Sequence, residues 1–326
     1  MKVQFLGTCA CDYSDKLQNE CKHRFDNDAR RSSTVLINDH ILIDCGEHTI
    51  ESLDIAGVSY AQITDVFITH THDDHFNPVN IEKISKSRHI PLRLWVRNDA
   101  KMPEIQNVKI GRLVPYSKTE FEESLFVTSL IANHDPNTFP QHFLFDVEGK
   151  KLFYGCDGAW LLTDTYNYLH NSNLDIMVLD ATVGDYIGDY RLAEHNSIPM
   201  IRLMLPSLRV NGTINDETRA ILSHLAPSLH KSHIETEKIA RDFGAEVAYD
   251  EATQAVTAEL NGTTVVMTIG SAEYTVNGVA KTADVAPFIN GSRTMVPVRF
   301  VAEAFGITVT PTYDENGATA DILFAK

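Results

Sequence analysis

Six residues constrain this chain more than any other stretch: His70-Thr71-His72-Asp73-Asp74-His75. They follow the apolar run Ile63-Thr64-Asp65-Val66-Phe67-Ile68-Thr69, which reads as a buried strand, and precede Pro78, where a helix is expected to begin. Four lone-pair donors at a strand-to-helix junction make a metal nest. Around a tight turn His70 and His72 can point to one ion while Asp74 and His75 face a second. Imidazole suits zinc, iron or manganese, and a carboxylate among the ligands suits a hydrolytic ion better than a structural one. The alternative is a solvated loop rich in histidine, but such loops rarely follow a buried strand with this density of ligands.

At 326 residues, 43% hydrophobic and 22% charged, the chain can hold one large domain or two smaller ones around a sizeable core. The opening Met1-Lys2-Val3-Gln4-Phe5-Leu6-Gly7 reads as a first strand rather than a secretion signal. No apolar run approaches the roughly 18 residues of a membrane span, so a cytoplasmic location and no membrane partner are expected. Cys9, Cys11, Cys21, Cys45 and Cys156 are too scattered for a disulfide framework, which agrees with a reducing compartment. Cys9, Cys11 and Cys21 with His23 could hold a structural zinc, although the Cys11 to Cys21 spacing is loose for one. A net charge of −16 argues against long nucleic acid as a partner and leaves room for a small anionic substrate held by metal ions.

All fourteen histidines, all five cysteines and both tryptophans precede residue 250, after which the composition shifts to Val, Thr, Ala and Gly. That break predicts a domain over 1–250 that carries the chemistry and a second over 251–326. A helix at 233–243 and a strand at 245–249 could finish the first or begin the second, so the second domain could start near 235. Within the first, strands are expected at 2–7, 92–96, 125–131, 174–180 and 220–223. Hairpins are expected at 33–46 around Asn38-Asp39 and at 141–155 around Glu148-Gly149-Lys150. A helix follows from Ile198, with Ile201, Met204 and Leu205 apolar and Asn196 or Ser197 as its cap.

His-x-His-x-Asp-His at a strand end resembles the signature of the metallo-β-lactamase superfamily, which implies an α/β fold arranged as a four-layered αββα sandwich. In that family's order, His134 after the 125–131 strand is the third imidazole of the first metal. Asp157, after the 151–155 strand, is the carboxylate that bridges both ions, and His224 completes the second. The resemblance thus implies His70, His72 and His134 for one ion, Asp74, His75 and His224 for the other, and Asp157 between them. Asp44, at the end of the second hairpin strand, reads as an acceptor that orients a ligand histidine, or else as a simple turn residue before Gly46. Cys156 reads as packing.

The chain is most similar to the family's phosphodiesterase branch, which includes the cyclic-phosphate esterase of phosphonate utilisation and the tRNA 3′-processing nuclease. Gly7-Thr8, Ser32-Ser33, Leu42-Ile43-Asp44-Cys45-Gly46, the seven ligands and His195 carry the likeness. It implies two divalent ions, zinc foremost with manganese or iron(II) as alternatives. The resemblance further implies that the ions would supply a hydroxide to attack phosphorus, with Asp74 at the catalytic centre and His195 as hydrogen-bond donor or general acid. Two departures matter. Pro227 stands where the phosphonate-pathway enzyme has a zinc-binding histidine, and only twenty-two residues separate His134 from Asp157, too few for the nuclease's substrate-gripping arm. The expected activity is therefore hydrolysis of a small cyclic or linear phosphodiester. A thioesterase or lactonase on the same site, and a non-catalytic binding scaffold, are the alternatives.

Pro287 to Ala304 closely resembles the module known as the copper amine oxidase N-terminal-like domain. Phe243-Gly244-Ala245-Glu246-Val247 with Tyr249-Asp250-Glu251 is loosely repeated by Phe305-Gly306-Ile307-Thr308-Val309 with Tyr313-Asp314-Glu315. With neither His nor Cys, this region is expected to pack, to bind a partner or to dimerise.

Overall fold

A computed structural model describes residues 1–10, 30–230, 246–260, 262–290, 293–313 and 319–325. It divides into two compact units, Met1–Ala240 and Arg241–Lys326. The division falls inside the 235–250 stretch that the sequence left open. Strand Glu246–Asp250 pairs with Ala255–Leu260 and so belongs to the second unit, not the first. The expected helix at 233–243 and the Cys11, Cys21 and His23 positions of the expected structural zinc lie outside the described residues.

The first unit holds two six-stranded sheets. In one, β1 (Val3–Gly7), β2 (Thr34–Ile37), β3 (Ile41–Ile43), β4 (Asp65–Phe67), β5 (Leu92–Arg97) and β6 (Val108–Leu113) lie side by side in chain order. In the other, β7 (Lys118–Glu122), β8 (Leu125–Ile131), β9 (Gln141–Val147), β10 (Lys150–Gly155), β11 (Ile176–Asp180) and β12 (Arg219–Ser223) do the same. The turns follow their residues. Asn38 and Asp39 take φ of 47° and 66°, and Glu148-Gly149 take 53° and 81°, the left-handed pairs that close two-residue hairpins.

Side-chain alternation with period two sorts the strands into layers. Val35, Ile37, Ile43 and Phe67 from the first sheet pack with Val127, Phe143, Phe145 and Tyr154 from the second, forming the shared core between the sheets. The alternate residues Leu36, Leu42, Val66 and Leu94 face outward onto Leu53 of α1 (Thr49–Ala56) and Ile81 and Ile84 of α2 (Pro78–Lys86). On the far side Phe153, Met177 and Leu179 meet Leu169, just past α3 (Thr163–Tyr168), and Ile201, Met204 and Leu208 of α4 (Ile198–Val210). The result is an αββα sandwich. The buried stripe of α4 ends on Leu208, while Leu205 is only half-buried, because three- and four-residue steps from Ile201 and Met204 lead to 208. β4 is shorter than the expected 63–69 run, and Phe67 at its end is held edge-on by Phe121, Phe143 and Phe145, with ring centroids 5.1–5.6 Å away. That clamp fixes the strand end from which the His70–His75 loop departs.

The second unit is an antiparallel five-stranded sheet, β13 (Glu246–Asp250) to β17 (Val279–Thr282) in chain order. Two hairpins follow, β18–β19 (Phe288–Asn290 with Arg293–Met295) and β20–β21 (Thr308–Tyr313 with Thr319–Ala325). Between them α5 (Val298–Ala304) sets Phe300 and Val301 against Val265, Met267 and Tyr274. Both copies of the loose repeat supply antiparallel pairs, β13 with β14 (Ala255–Leu260) and β20 with β21. Among the described residues no helix is long and apolar enough to cross a membrane.

Candidate metal centre

β10, β11 and β12 are parallel, and β8 is antiparallel to β9, which is antiparallel to β10. β8, β10, β11 and β12 therefore run the same way, and their carboxyl ends share one edge of the second sheet. His134 follows β8, Asp157 follows β10 and His224 follows β12. The loop after β4 brings His70, His72, Asp74 and His75 from the first sheet. Its exit is capped by Asn77, whose side chain accepts hydrogen bonds from the Val79 and Asn80 amides, both at 3.1 Å.

The structure gathers the seven side chains singled out in the sequence into two adjoining groups. In one, His72 Nδ1 lies 2.9 Å from His70 Nε2 and 3.2 Å from His134 Nε2. In the other, Asp74 Oδ2 is 3.3 Å from both His75 Nε2 and His224 Nε2, which are 3.1 Å from each other. Between them Asp157 Oδ2 lies 3.7 Å from His70 Nε2, 3.9 Å from His134 Nε2 and 3.5 Å from His75 Nε2.

This donor set fits divalent cations on three counts. A neutral imidazole has one N–H, so three ring nitrogens crowded at one point cannot all be satisfied by one another. Their spacing approaches the edge of a tetrahedron with metal–nitrogen bonds of about 2.0–2.1 Å. Asp44, Asp74, Asp157 and Asp180 are all buried together, and each buried carboxylate costs several kcal/mol unless a positive charge faces it. Asp157 Oδ1 is also buried without a hydrogen bond, although it lies 3.0 Å from both His195 Nδ1 and His224 Nδ1.

The titration shifts follow from this crowding. Burial would raise Asp74 and Asp157, but the imidazoles around them hold both well below the carboxylate range. Burial lowers His70, and the charge of His75 pushes it further down. His224, which burial would lower, is lifted to about 9 chiefly by Asp157.

Further polar groups stand behind these side chains. Asp44 Oδ1 accepts from the Thr69 amide at 2.7 Å, and Oδ2 accepts from His75 Nδ1 at 2.8 Å, leaving Nε2 as the nitrogen facing the centre. Asp44→Asn keeps the Thr69 contact and loosens His75. It is expected to weaken metal affinity about 10- to 100-fold, read by competition with a chelating dye.

Sequence reasoning placed Asp180 only at a strand end. In the structure its Oδ2 accepts from His195 Nδ1 at 2.8 Å and lies 3.5 Å from His224 Nδ1, while Oδ1 accepts from the amides of Thr182 at 2.9 Å and Asn196 at 3.1 Å. Thr182 Oγ1, also missed, sits 2.7 Å from His224 Nδ1. The available signal was an acid ending a buried strand on the same edge as the other site residues. Of the two capping candidates Ser197 is the N-cap of α4, and the Asn196 amide group instead donates to Gly158 O at 3.0 Å. Cys156 is fully buried in the core between the sheets.

Several solved structures resemble this one. Human tRNase Z, short form, superposes with a TM-score of 0.52 at 20% identity, covering 69% of this chain and 93% of its own. Zn2+-bound PqqB from Methylobacterium extorquens gives 0.55 at 14%, covering 74% and 96%. A diphosphatase of the PhnP family gives 0.52 at 16%, covering 72% and 90%. Residues 1–90 match the family model described as anti-Pycsar protein Apyc1, and residues 230–320 match the copper amine oxidase N-terminal domain. A search of curated proteins finds no match. With its paired six-stranded sheets and flanking helices, the chain has the metallo-β-lactamase fold, followed by a copper amine oxidase N-terminal-like module.

Proposed function

We propose that this chain is a metal-dependent hydrolase of small phosphodiesters, with a centre for two divalent cations of which zinc is the first choice. The observation that carries the reading is Asp157 Oδ2, 3.5–3.9 Å from imidazole nitrogens of both ligand groups, where one carboxylate can serve two ions. When bound, such ions make water acidic near neutral pH and neutralise charge on phosphoryl oxygens.

The chain's own residues supply the rest. His195 donates Nδ1–H to Asp180, so Nε2 is the nitrogen left to donate to a phosphoryl or leaving-group oxygen. Burial alone would lower its pKa, but with no cation at the centre the Asp157 and Asp180 carboxylates lift it to about 11. Its plane is fixed by stacking on His224 at 5.5 Å and edge contact with His134 at 5.1 Å. The stretch between His134 and Asp157 is a single helical turn, Pro136–Thr138, and the β9–β10 hairpin, which favours a small substrate over a large one. The tRNase and diphosphatase names among the structural neighbours favour phosphorus over carbonyl esters.

His195→Ala is expected to lower kcat on bis(4-nitrophenyl) phosphate or a 2′,3′-cyclic nucleotide about 10²- to 10⁴-fold, with metal content unchanged. The wild-type protein should lose this activity to a chelator and regain it with zinc or manganese. Faster turnover of thioesters or lactones than of any phosphodiester, or an unaffected His195→Ala enzyme, would overturn the reading.

A further inference from the structure

One carboxylate at the centre has no part in the scheme above. The side chain of Glu194 is exposed, and its oxygen lies within 4.8 Å of ring nitrogens of both His134 and His195. Among the described residues nothing forms a hydrogen bond or ion pair with that carboxylate. Its backbone is nevertheless tied down on both sides: the Glu194 amide donates to Arg191 O at 2.9 Å, and its carbonyl accepts from His134 Nδ1 at 3.3 Å. The second contact also commits His134 Nδ1, leaving Nε2 for the centre. Glu194 thus carries an exposed carboxylate, on an anchored backbone, beside two imidazoles of the proposed centre. Asp135, next in sequence after His134, adds a second carboxylate on the same side, held by the Asn137 amide at 3.0 Å.

We infer that Glu194 is a specificity-determining residue that makes the centre select singly charged phosphodiesters and reject doubly charged phosphomonoesters. The inference rests on the phosphodiesterase reading and extends it to the charge of the substrate. A diester carries one negative charge at neutral pH. A monoester, whose second pKa is near 6, carries almost two. A carboxylate beside the imidazoles that would face a phosphoryl group penalises a dianion about twice as much as a monoanion, and the penalty weakens with salt. Discrimination of this kind comes from a repulsive element rather than an added contact. It has a second consequence: diester hydrolysis turns a monoanion into a monoester dianion in place, so the same carboxylate that admits the substrate helps expel the product.

The test compares zinc-loaded wild-type protein with Glu194→Gln, which keeps shape and removes charge, and Glu194→Asp, which keeps charge. Glu194→Gln is expected to raise kcat/KM on 4-nitrophenyl phosphate about tenfold at low salt and on bis(4-nitrophenyl) phosphate only about threefold, because the diester carries half the charge. By calorimetry its affinity for inorganic phosphate should rise by a similar factor, its affinity for diethyl phosphate by about threefold at most, and both gains should shrink toward 1 M salt. Glu194→Asp should keep the wild-type ratio. An unchanged monoester-to-diester ratio with diesterase activity intact overturns the inference, as does loss of metal from Glu194→Gln, which would make the residue a ligand. If the wild type turns over no phosphodiester, the functional reading fails instead. The calorimetric comparison still decides the role of Glu194, since equal phosphate affinity in the two proteins overturns it.

Discussion

On the proposed dinuclear phosphodiesterase reading, Asp157→Ala is expected to reduce bound metal from two equivalents to one or fewer and to lower kcat/KM on a phosphodiester by at least about 10³-fold, or about 4 kcal/mol of transition-state stabilisation. Two divalent cations about 3.5–4 Å apart repel strongly, and an anion between them is what makes the pair bindable. Asp157 is buried, follows the rigid strand β10, and is within 4 Å of imidazoles in both groups. Asp157→Asn should fail almost as badly, because it keeps the volume and removes the charge. Metal analysis by mass spectrometry alongside steady-state kinetics reads both effects. A variant that retains two equivalents and more than about a tenth of the activity would remove Asp157 from the bridging position.

The second large effect comes from a residue with no side chain. A Cβ built on Gly46 would stand 1.7 Å from Asp74 O and 2.2 Å from Asp74 C, both backbone atoms that cannot swing away. This close approach docks the ligand loop onto the end of β3. The Cys45 amide donates to His75 O at 2.8 Å, the Asn77 amide donates to Cys45 O at 2.7 Å, and Asn80 Nδ2 donates to Gly46 O at 2.7 Å. Gly46→Ala must push Asp74 and His75 by more than an ångström, well beyond the roughly 0.5 Å that a ligand constellation tolerates. The expected results are loss of at least about 3 kcal/mol of stability in the metal-free protein and failure to bind metal at Asp74, His75 and His224. Gly149→Ala is the control. Its φ is +81° but nothing lies within 4 Å of the added methyl, so it should cost only about 1 kcal/mol. Metal-free Gly46→Ala melting no lower than Gly149→Ala would show that the close approach is absent in solution.

The local signals were legible because they are local. Asn38-Asp39 and Glu148-Gly149 adopt left-handed conformations that their residue types favour, so the hairpins could be read before any tertiary contact was known. Apolar runs ended where ligand-type side chains began, and the runs are strands that terminate at one edge. Boundaries were less legible. β4 keeps only three residues of its seven-residue apolar run: Ile63 caps the turn Tyr60–Gln62 at one end, and at the other Thr69 turns its amide and hydroxyl to the Asp44 carboxylate. The second unit claims Glu246–Asp250 through pairing with β14, which composition could not reveal.

The sequence by itself determined which side chains can bind metal, their order along the chain, and the strand-and-turn character of the segments that carry them. Only the tertiary structure decided which of them meet: that His75 sits 3.1 Å from His224 across 149 residues, that Asp44 holds His75, and that Asp180 holds His195. Periodicity and turn chemistry act over a few residues, whereas these partnerships depend on the order of strands in each sheet and on the facing of one sheet against the other. The same packing sets the approach of Gly46 to Asp74 and leaves Glu194 beside the centre.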